Sequence, residues 1–225
     1  MGRAIQTELP FHLGQRGGGQ PGAGRKPGPN PRVRHLSRPV FPGRFPCHVT
    51  LKARAGLPSL RRLEVVREIM ESFRCGAERG DFRLLQFSVQ DDHLHAIVEA
   101  DGREELGRGM KSLAARFARA VNRGLRRTGP VLRDRYHLHV LQSPREVRNA
   151  LSYVLLNARK HLARLGRALP RIARVDPASS GAWFAGWGPG TALPDATGPP
   201  PVAPARTWLA RVSWRRFGLL DPAEL

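Results

Sequence analysis

The sequence predicts an α+β domain: a four-stranded antiparallel sheet with two helices on one face and an added helix on the other. Three observations predict it. Apolar and polar residues alternate over "CHVTLKA" (47–53), "FRLLQFSVQ" (82–90), "HLHAIVEA" (93–100) and "RYHLHVLQ" (135–142), the period-two pattern of half-buried strands. Between the first and second strand, and again between the third and fourth, apolar residues fall at helical spacing. After the fourth strand a third helical stretch follows, so the order is β-α-β-β-α-β and then one more α.

Each element has its own warrant. Residues 1 to about 45 hold eight Lys or Arg against the single acid Glu8, and "GGGQPGAGRKPGPNPR" has nothing to bury, so a disordered basic arm is expected over 1–45. Its "GRKPG" loosely resembles an AT-hook, a weak match beside the plain reading of a tail. The periodic domain spans 46–168. Its first helix is expected from Leu60 to Gly76, with apolar positions 60, 63, 66, 70 and 73. Gly80-Asp81 is a break, and Asp91-Asp92 a tight turn between the second and third strands. Leu106, Met110, Leu113, Phe117, Val121 and Leu125 give the helix from 103 to 127 one apolar stripe. Ser143-Pro144 opens the last helix, with proline at its first position and Glu146 near its positive end. Its core stripe is Val147, Leu151, Val154, Ala158, Leu162 and Leu165. The first six elements spell the ferredoxin-like split βαβ arrangement. Residues 169–225 are rich in Pro, Gly and Trp and read as an extension with a short amphipathic segment.

Charge narrows the partners. The chain carries 38 Lys and Arg against 18 Asp and Glu, a formal net charge of +20. That imbalance favours a polyanion, nucleic acid first, because each neutralised phosphate releases counterions. The chain has no apolar run of membrane-spanning length and a polar, Gly-rich N-terminus, which argues against a span or a secretory signal. Cys47 and Cys75 are isolated and fit reduced thiols of a cytoplasmic protein.

The chemistry-bearing residues are few. On a strand, His93 and His95 project to one side while Leu94, Ala96 and Val98 face the core. Two neutral imidazoles side by side are half of a metal site. A lone His-x-His is more often a solvated strand face, so other segments must decide. On the last helix Tyr153, Asn157 and His161 are each four apart and line one stripe. Asn157 can offer its carbonyl oxygen as a third ligand, His161 being a lesser substitute, and Tyr153 sits one turn away. Tyr153 also fits a half-buried amphipathic edge residue.

"HLH" on a strand of such a fold, followed by "SYVLLN" on the last helix, resembles the HUH superfamily of single-tyrosine transposases. The branch it looks most like is that of the REP-associated tyrosine transposases and related insertion-sequence transposases. The likeness covers about 45 to 165 well, and the tail loosely. It implies binding of single-stranded or hairpin DNA, and cleavage and rejoining through a 5′-phosphotyrosine on Tyr153. It implies Mg²⁺ or Mn²⁺ held by His93, His95 and Asn157. It implies a bacterial, nucleoid-associated protein of the cytosol, with dimers and monomers both found in the family. "HLH" occurs again at His137–His139, where the family usually shows polar or aromatic residues, and this second pair is read as a polar strand face. Tyr136, on a strand, is the lesser nucleophile candidate. Lys160 and His161 are candidate acceptors of the tyrosine proton.

For DNA binding the sequence points to Arg116, Arg119, Arg123 and Arg126 in one sector of the second helix, where no acid follows Glu105. Lys160, Arg164, Arg167, Arg171 and Arg174 continue a basic strip beyond the tyrosine. Trp183, Trp187, Trp208 and Trp214 can stack on bases or staple the tail to the domain. Three rivals stand beside the transposase reading. They are a non-catalytic, domesticated DNA-binding protein of the same fold, a replication-initiator or relaxase-type HUH nuclease, and a basic RNA-binding module.

Overall fold

The computed structural model describes residues 43–164, 175–196 and 198–224, with backbone alone at 78–79 and 158–164. The basic arm with its "GRKPG", and Arg167, Arg171 and Arg174, lie outside the described residues. The elements are β1 (Cys47–Lys52), α1 (Leu63–Arg74), β2 (Glu78–Arg79), β3 (Phe82–Val89), β4 (His93–Ala100), α2 (Arg103–Gly124), β5 (His137–Val140), α3 (Pro144–Arg164) and the short α4 (Trp208–Arg211). The strands form one antiparallel sheet in the order β2-β3-β4-β1-β5. The four expected strands thus adopt the ferredoxin-like order, and β2 adds a two-residue fifth strand at the edge.

The differences from expectation are local and have physical causes. Arg79 pairs with Phe82, so Gly80-Asp81 is a two-residue hairpin turn rather than a mere break. The Asp91-Asp92 turn is closed by the Gln90 N–H donating to the His93 carbonyl at 2.8 Å. Helix α1 starts at Leu63 rather than Leu60 because the Leu60 N–H donates to the Asp91 carbonyl at 2.9 Å, which holds that stretch as loop. Helix α2 stops at Gly124 because Arg126 takes a φ of 50°, the left-handed conformation that commonly ends a helix and usually falls to glycine. Where α2 crosses the sheet, a Cβ on Gly109 would run into the Phe82 ring, so the close approach requires glycine. Helix α3 begins with Ser143 Oγ accepting from the Glu146 N–H at 3.2 Å and Glu146 accepting from the Gln142 N–H at 2.6 Å, close to a capping box.

The two faces of the sheet carry separate cores. On one, Val49, Leu51, Phe87, Leu94, Ala96 and Val98 are buried under Ile69 and Phe73 of α1 and Met110 and Phe117 of α2. On the other, Leu85 and Ile97 meet Val147, Leu151 and Val154 of α3 and the ring cluster of Phe184, Trp187 and Trp214. The extension is therefore part of the domain. Arg61 grips Asp176 with two hydrogen bonds of 2.8 Å. Ser180 Oγ donates to Gln86 at 2.6 Å and accepts from the Phe87 N–H at 2.8 Å. The buried Glu99 accepts from the N–H groups of Arg206 (2.8 Å) and Thr207 (3.0 Å) and from the Thr207 hydroxyl (2.7 Å). Cys47 is buried, Cys75 is exposed and neither forms a disulfide. Among the described residues no helix is long and apolar enough to cross a membrane.

Candidate active site

Register decides which side chains share the α3 face. In the β1–β4 ladder Thr50 stands opposite His95 and Lys52 opposite His93, and cross-strand partners point to the same side. His93 and His95 meet nearly perpendicular, with ring centroids 4.5 Å apart and their Nε2 atoms 2.9 Å apart. The other nitrogen of each ring is engaged. His93 Nδ1 lies 2.6 Å from Asp92 Oδ1, and a carboxylate only accepts, so this nitrogen carries the proton. His95 Nδ1 lies 3.1 Å from Thr50 Oγ1 and 3.2 Å from His48 Nε2.

Helix α3 brings Tyr153 over this cluster. Its ring stands edge-on to His95 at 4.9 Å and to His48 at 5.7 Å, and the side chain remains 38% exposed, open to a substrate. Asn157 follows one turn later and is half-buried. Lys160, His161 and Arg164 continue α3, but their side chains are outside the described residues.

The electrostatics favour neutral rings. Burial first, then the neighbouring His93 and His48, lowers the pKa of His95 to about 3, against a smaller opposing pull from Asp92. Burial first, then His139, lowers that of His48 to about 4. The hydrogen bond from His93, with lesser help from Lys52 at 3.6 Å, holds Asp92 below the ordinary carboxylate range. A neutral imidazole keeps a lone pair, which a ligand needs.

The pair also fits a divalent ion on geometry. Two nitrogens bound side by side to one octahedral ion at about 2.1 Å lie about 3.0 Å apart, close to the observed separation of 2.9 Å. Asp92 on the outer nitrogen of His93 is the usual outer partner of a metal-binding histidine. No group of three His, Cys, Asp or Glu that could hold a metal occurs among the described residues. A third protein ligand must then come from another residue type, and the amide oxygen of Asn157 is of the right kind.

The second pair is on the same face but apart. His137 stands opposite Thr50 and His139 opposite His48, both exposed on the edge strand β5, with no ring contact to Tyr153 among the described residues. Tyr136 packs against the α1/α2 core, away from this cleft.

The arginine sector lies elsewhere. Helix α2 covers the face opposite α3, so Arg116, Arg119, Arg123 and Arg126 are across the sheet from Tyr153. Arg116 donates to the Ser72 carbonyl at 3.2 Å, and Arg123 pairs with Glu68 of α1 at 2.6 Å. An acid absent from α2 itself is thus supplied by its neighbour. Arg119 and Arg126 are exposed and have no partner among the described residues, and with Arg123 and Arg127 they line an open cavity of about 590 Å³.

Sequence reading missed His48, Thr50 and Asp92. The signal was present, since 48, 50 and 52 are the polar positions of an alternating β1, but only the register shows that they meet His93 and His95.

The fold and cleft together define a ferredoxin-like α+β domain with a paired-histidine, single-tyrosine site. No family model matches the chain, and no curated protein matches it. Among solved structures the chain is similar to a REP-associated tyrosine transposase bound to a REP hairpin, at TM-score 0.44 and 17% identity over 57% of this chain and 74% of that one. It is also similar to a bacterial tRNA(His) guanylyltransferase-like protein in complex with GTP, at TM-score 0.40 and 12% identity over 57% of this chain and 71% of the other.

Proposed function

We propose that this protein cleaves and rejoins single-stranded DNA at a hairpin through a covalent 5′-phosphotyrosine on Tyr153. One observation carries the reading: the Tyr153 ring stands 4.9 Å from that of His95, whose Nε2 faces His93 Nε2 at 2.9 Å. A tyrosine side chain and two facing imidazole nitrogens thus share one open cleft, which supports the reading.

His93, His95 and the Asn157 amide oxygen would hold Mg²⁺ or Mn²⁺. The bound ion supplies Lewis-acid polarisation of the scissile phosphate. Asp92 keeps His93 turned inward, and Thr50 with His48 does the same for His95. Tyr153 Oη attacks phosphorus; the new O–P bond forms as the bond to the 3′-oxygen breaks. The phenol proton is lost, and the departing 3′-oxygen gains one as a free hydroxyl. The covalent bond conserves the phosphodiester energy, so another 3′-hydroxyl can reverse the step. A free tyrosine has a pKa of about 10, so a bound cation or a basic neighbour would have to favour the phenolate.

The test is an adduct assay. Incubated with Mn²⁺ or Mg²⁺ and labelled hairpin DNA with a single-stranded flank, the protein should migrate with the label on a denaturing gel. Tyr153→Phe should abolish the band and Tyr136→Phe should retain it. A band that survives Tyr153→Phe and is lost in Tyr136→Phe overturns the assignment.

A further inference from the structure

We propose that Trp208, with Arg211, is a stacking platform for an unpaired base of the bound DNA, outside the cleavage site. This rests on the DNA-cleaving reading and adds a second subsite to it. The four tryptophans divide sharply. Trp187 and Trp214 are buried in the α3 core, Trp183 is partly buried with Arg74 above its ring, and Trp208 is 62% exposed. Among the described residues Trp208 makes no ring or cation contact, whereas Arg215 lies over Trp214 and Arg216 over Phe217.

This exposed indole is not on a loose tail. Thr207 beside it is fastened to the buried Glu99 by its N–H and hydroxyl, and the Thr207 hydroxyl accepts from the Ala210 N–H at 3.3 Å. Leu209, the next residue, and Trp214 are buried, and Trp214 Nε1 donates to the Ala210 carbonyl at 2.9 Å. An apolar ring held rigidly in water gives up burial and gains no freedom, which makes sense when a ligand covers it.

The surroundings say which ligand. Arg211 and Val212 follow Trp208 by three and four residues, on its flank, and both are exposed, as are Arg215 and Arg216. No acid occurs from Thr207 to Gly218. An exposed π-face on a segment whose exposed charges are all cationic matches a base and its phosphates, because every base stacks and every phosphate is an anion. The position fits the same substrate. Helix α4 and α3 belong to the same face of the sheet, and Thr207 hangs from Glu99, four residues along β4 from His95. At a strand rise of about 3.3 Å per residue that is about 13 Å, within reach of the strand flanking a cleaved phosphate.

The experiment uses the full chain and a short oligothymidine, with no metal so that no cleavage intervenes, alongside the adduct assay with metal. Intrinsic fluorescence should be quenched on adding the oligonucleotide. Trp208→Ala should lose most of that quenching and bind about tenfold more weakly, while Trp208→Tyr should recover most of the affinity. Thermal unfolding of both variants should match the parent, since the side chain is exposed. If the parent forms the adduct and Trp208→Ala binds the oligonucleotide as the parent does, the platform is overturned and the cleavage reading stands. If no DNA is bound and no adduct forms, the cleavage reading itself falls. Quenching of Trp208 by anionic vesicles but not by oligothymidine would overturn the base-stacking assignment.

Discussion

The two faces of the sheet follow different rules. The α1/α2 face is apolar from end to end, from Val49 and Leu51 across to Phe87 and Val98. The α3 face is divided: where β4 begins it carries His93 and His95 with His48 and Thr50, and further along it turns apolar at Ile97 and receives the Phe184–Trp187–Trp214 cluster. One face secures the fold. The other anchors α3 at one end and leaves its tyrosine over a polar cleft at the other.

The largest effect separates the faces by activity. His95→Ala and Tyr153→Phe should each lower adduct formation about a thousandfold or more; Tyr153→Phe should shift the unfolding midpoint little because Tyr153 is exposed, whereas His95 is buried and its truncation should cost stability as well. In the proposed reaction no neighbour would replace the Tyr153 hydroxyl, and a single imidazole would hold an ion poorly. Quantitative adduct yield beside thermal melts checks this; a Tyr153→Phe protein that melts as the parent does and still forms the adduct at the parent's level overturns it.

The next effect tests whether the second core is a core at all. Phe117→Ala on one face and Trp214→Ala on the other should both destabilise by about 3–5 kcal/mol, the usual cost of removing a buried ring. Urea titration reads both. A loss below about 1 kcal/mol for Trp214→Ala would show the extension resting on the domain rather than completing it.

Acid should weaken the α3 face selectively. His48 falls from 6.5 to about 4 and His95 to about 3 in the folded protein, so below pH 6.5 the unfolded chain binds protons that the folded one refuses. Stability therefore rises with pH up to 6.5 and is flat above it as far as these rings are concerned. The loss on acidifying to pH 4 should be on the order of 3 kcal/mol for each ring. Melting in a chelating buffer across this window, for the parent and for His48→Gln, isolates this contribution. Identical slopes would remove His48 from it.

A smaller effect belongs to the outer partner of the metal pair. Asp92→Ala should weaken Mn²⁺ binding about 10–100-fold by freeing the His93 ring, and Asp92→Asn, which keeps an acceptor oxygen, should recover part of it. Titration followed by Mn²⁺ resonance measures this without any DNA. Equal affinity in all three proteins would leave Asp92 as a turn residue only.

Much of this was legible in the sequence, and the gaps have physical reasons. Alternation fixed β1, β3 and β4, and the stripe on α2 is buried as its spacing implies, because both are local patterns. The juxtaposition of Tyr153 with His95 followed from element order plus periodicity. His48 and Thr50 escaped because register is a long-range property: nothing local says that residue 50 will stand beside residue 95. The extension escaped because its contacts run through a buried carboxylate, Glu99, and scattered rings rather than a periodic stripe. Charge misled in one place. Arg116 and Arg123 read as free cations on α2, yet α1 supplies Ser72 and Glu68 to them.

That last difference makes the smallest prediction and the finest test of the two faces. If DNA reaches the α1/α2 face, its phosphates will meet Arg119 and Arg126, which are unpartnered among the described residues, before Arg123, which Glu68 already neutralises. Each phosphate that the protein no longer neutralises reduces the slope of log affinity against log salt by about 0.7 for a single strand and about 0.9 for a duplex. Arg119→Ala and Arg126→Ala should each remove about one such increment and Arg123→Ala almost none, whereas Glu68→Gln should steepen the slope by freeing Arg123. Affinity measured at several salt concentrations with Tyr153→Phe as the background gives all five slopes without cleavage. Should the slopes of Arg119→Ala and Arg126→Ala match the background, DNA is confined to the α3 face, and the basic face of α2 serves the domain in some other way than by holding the strand that Tyr153 attacks.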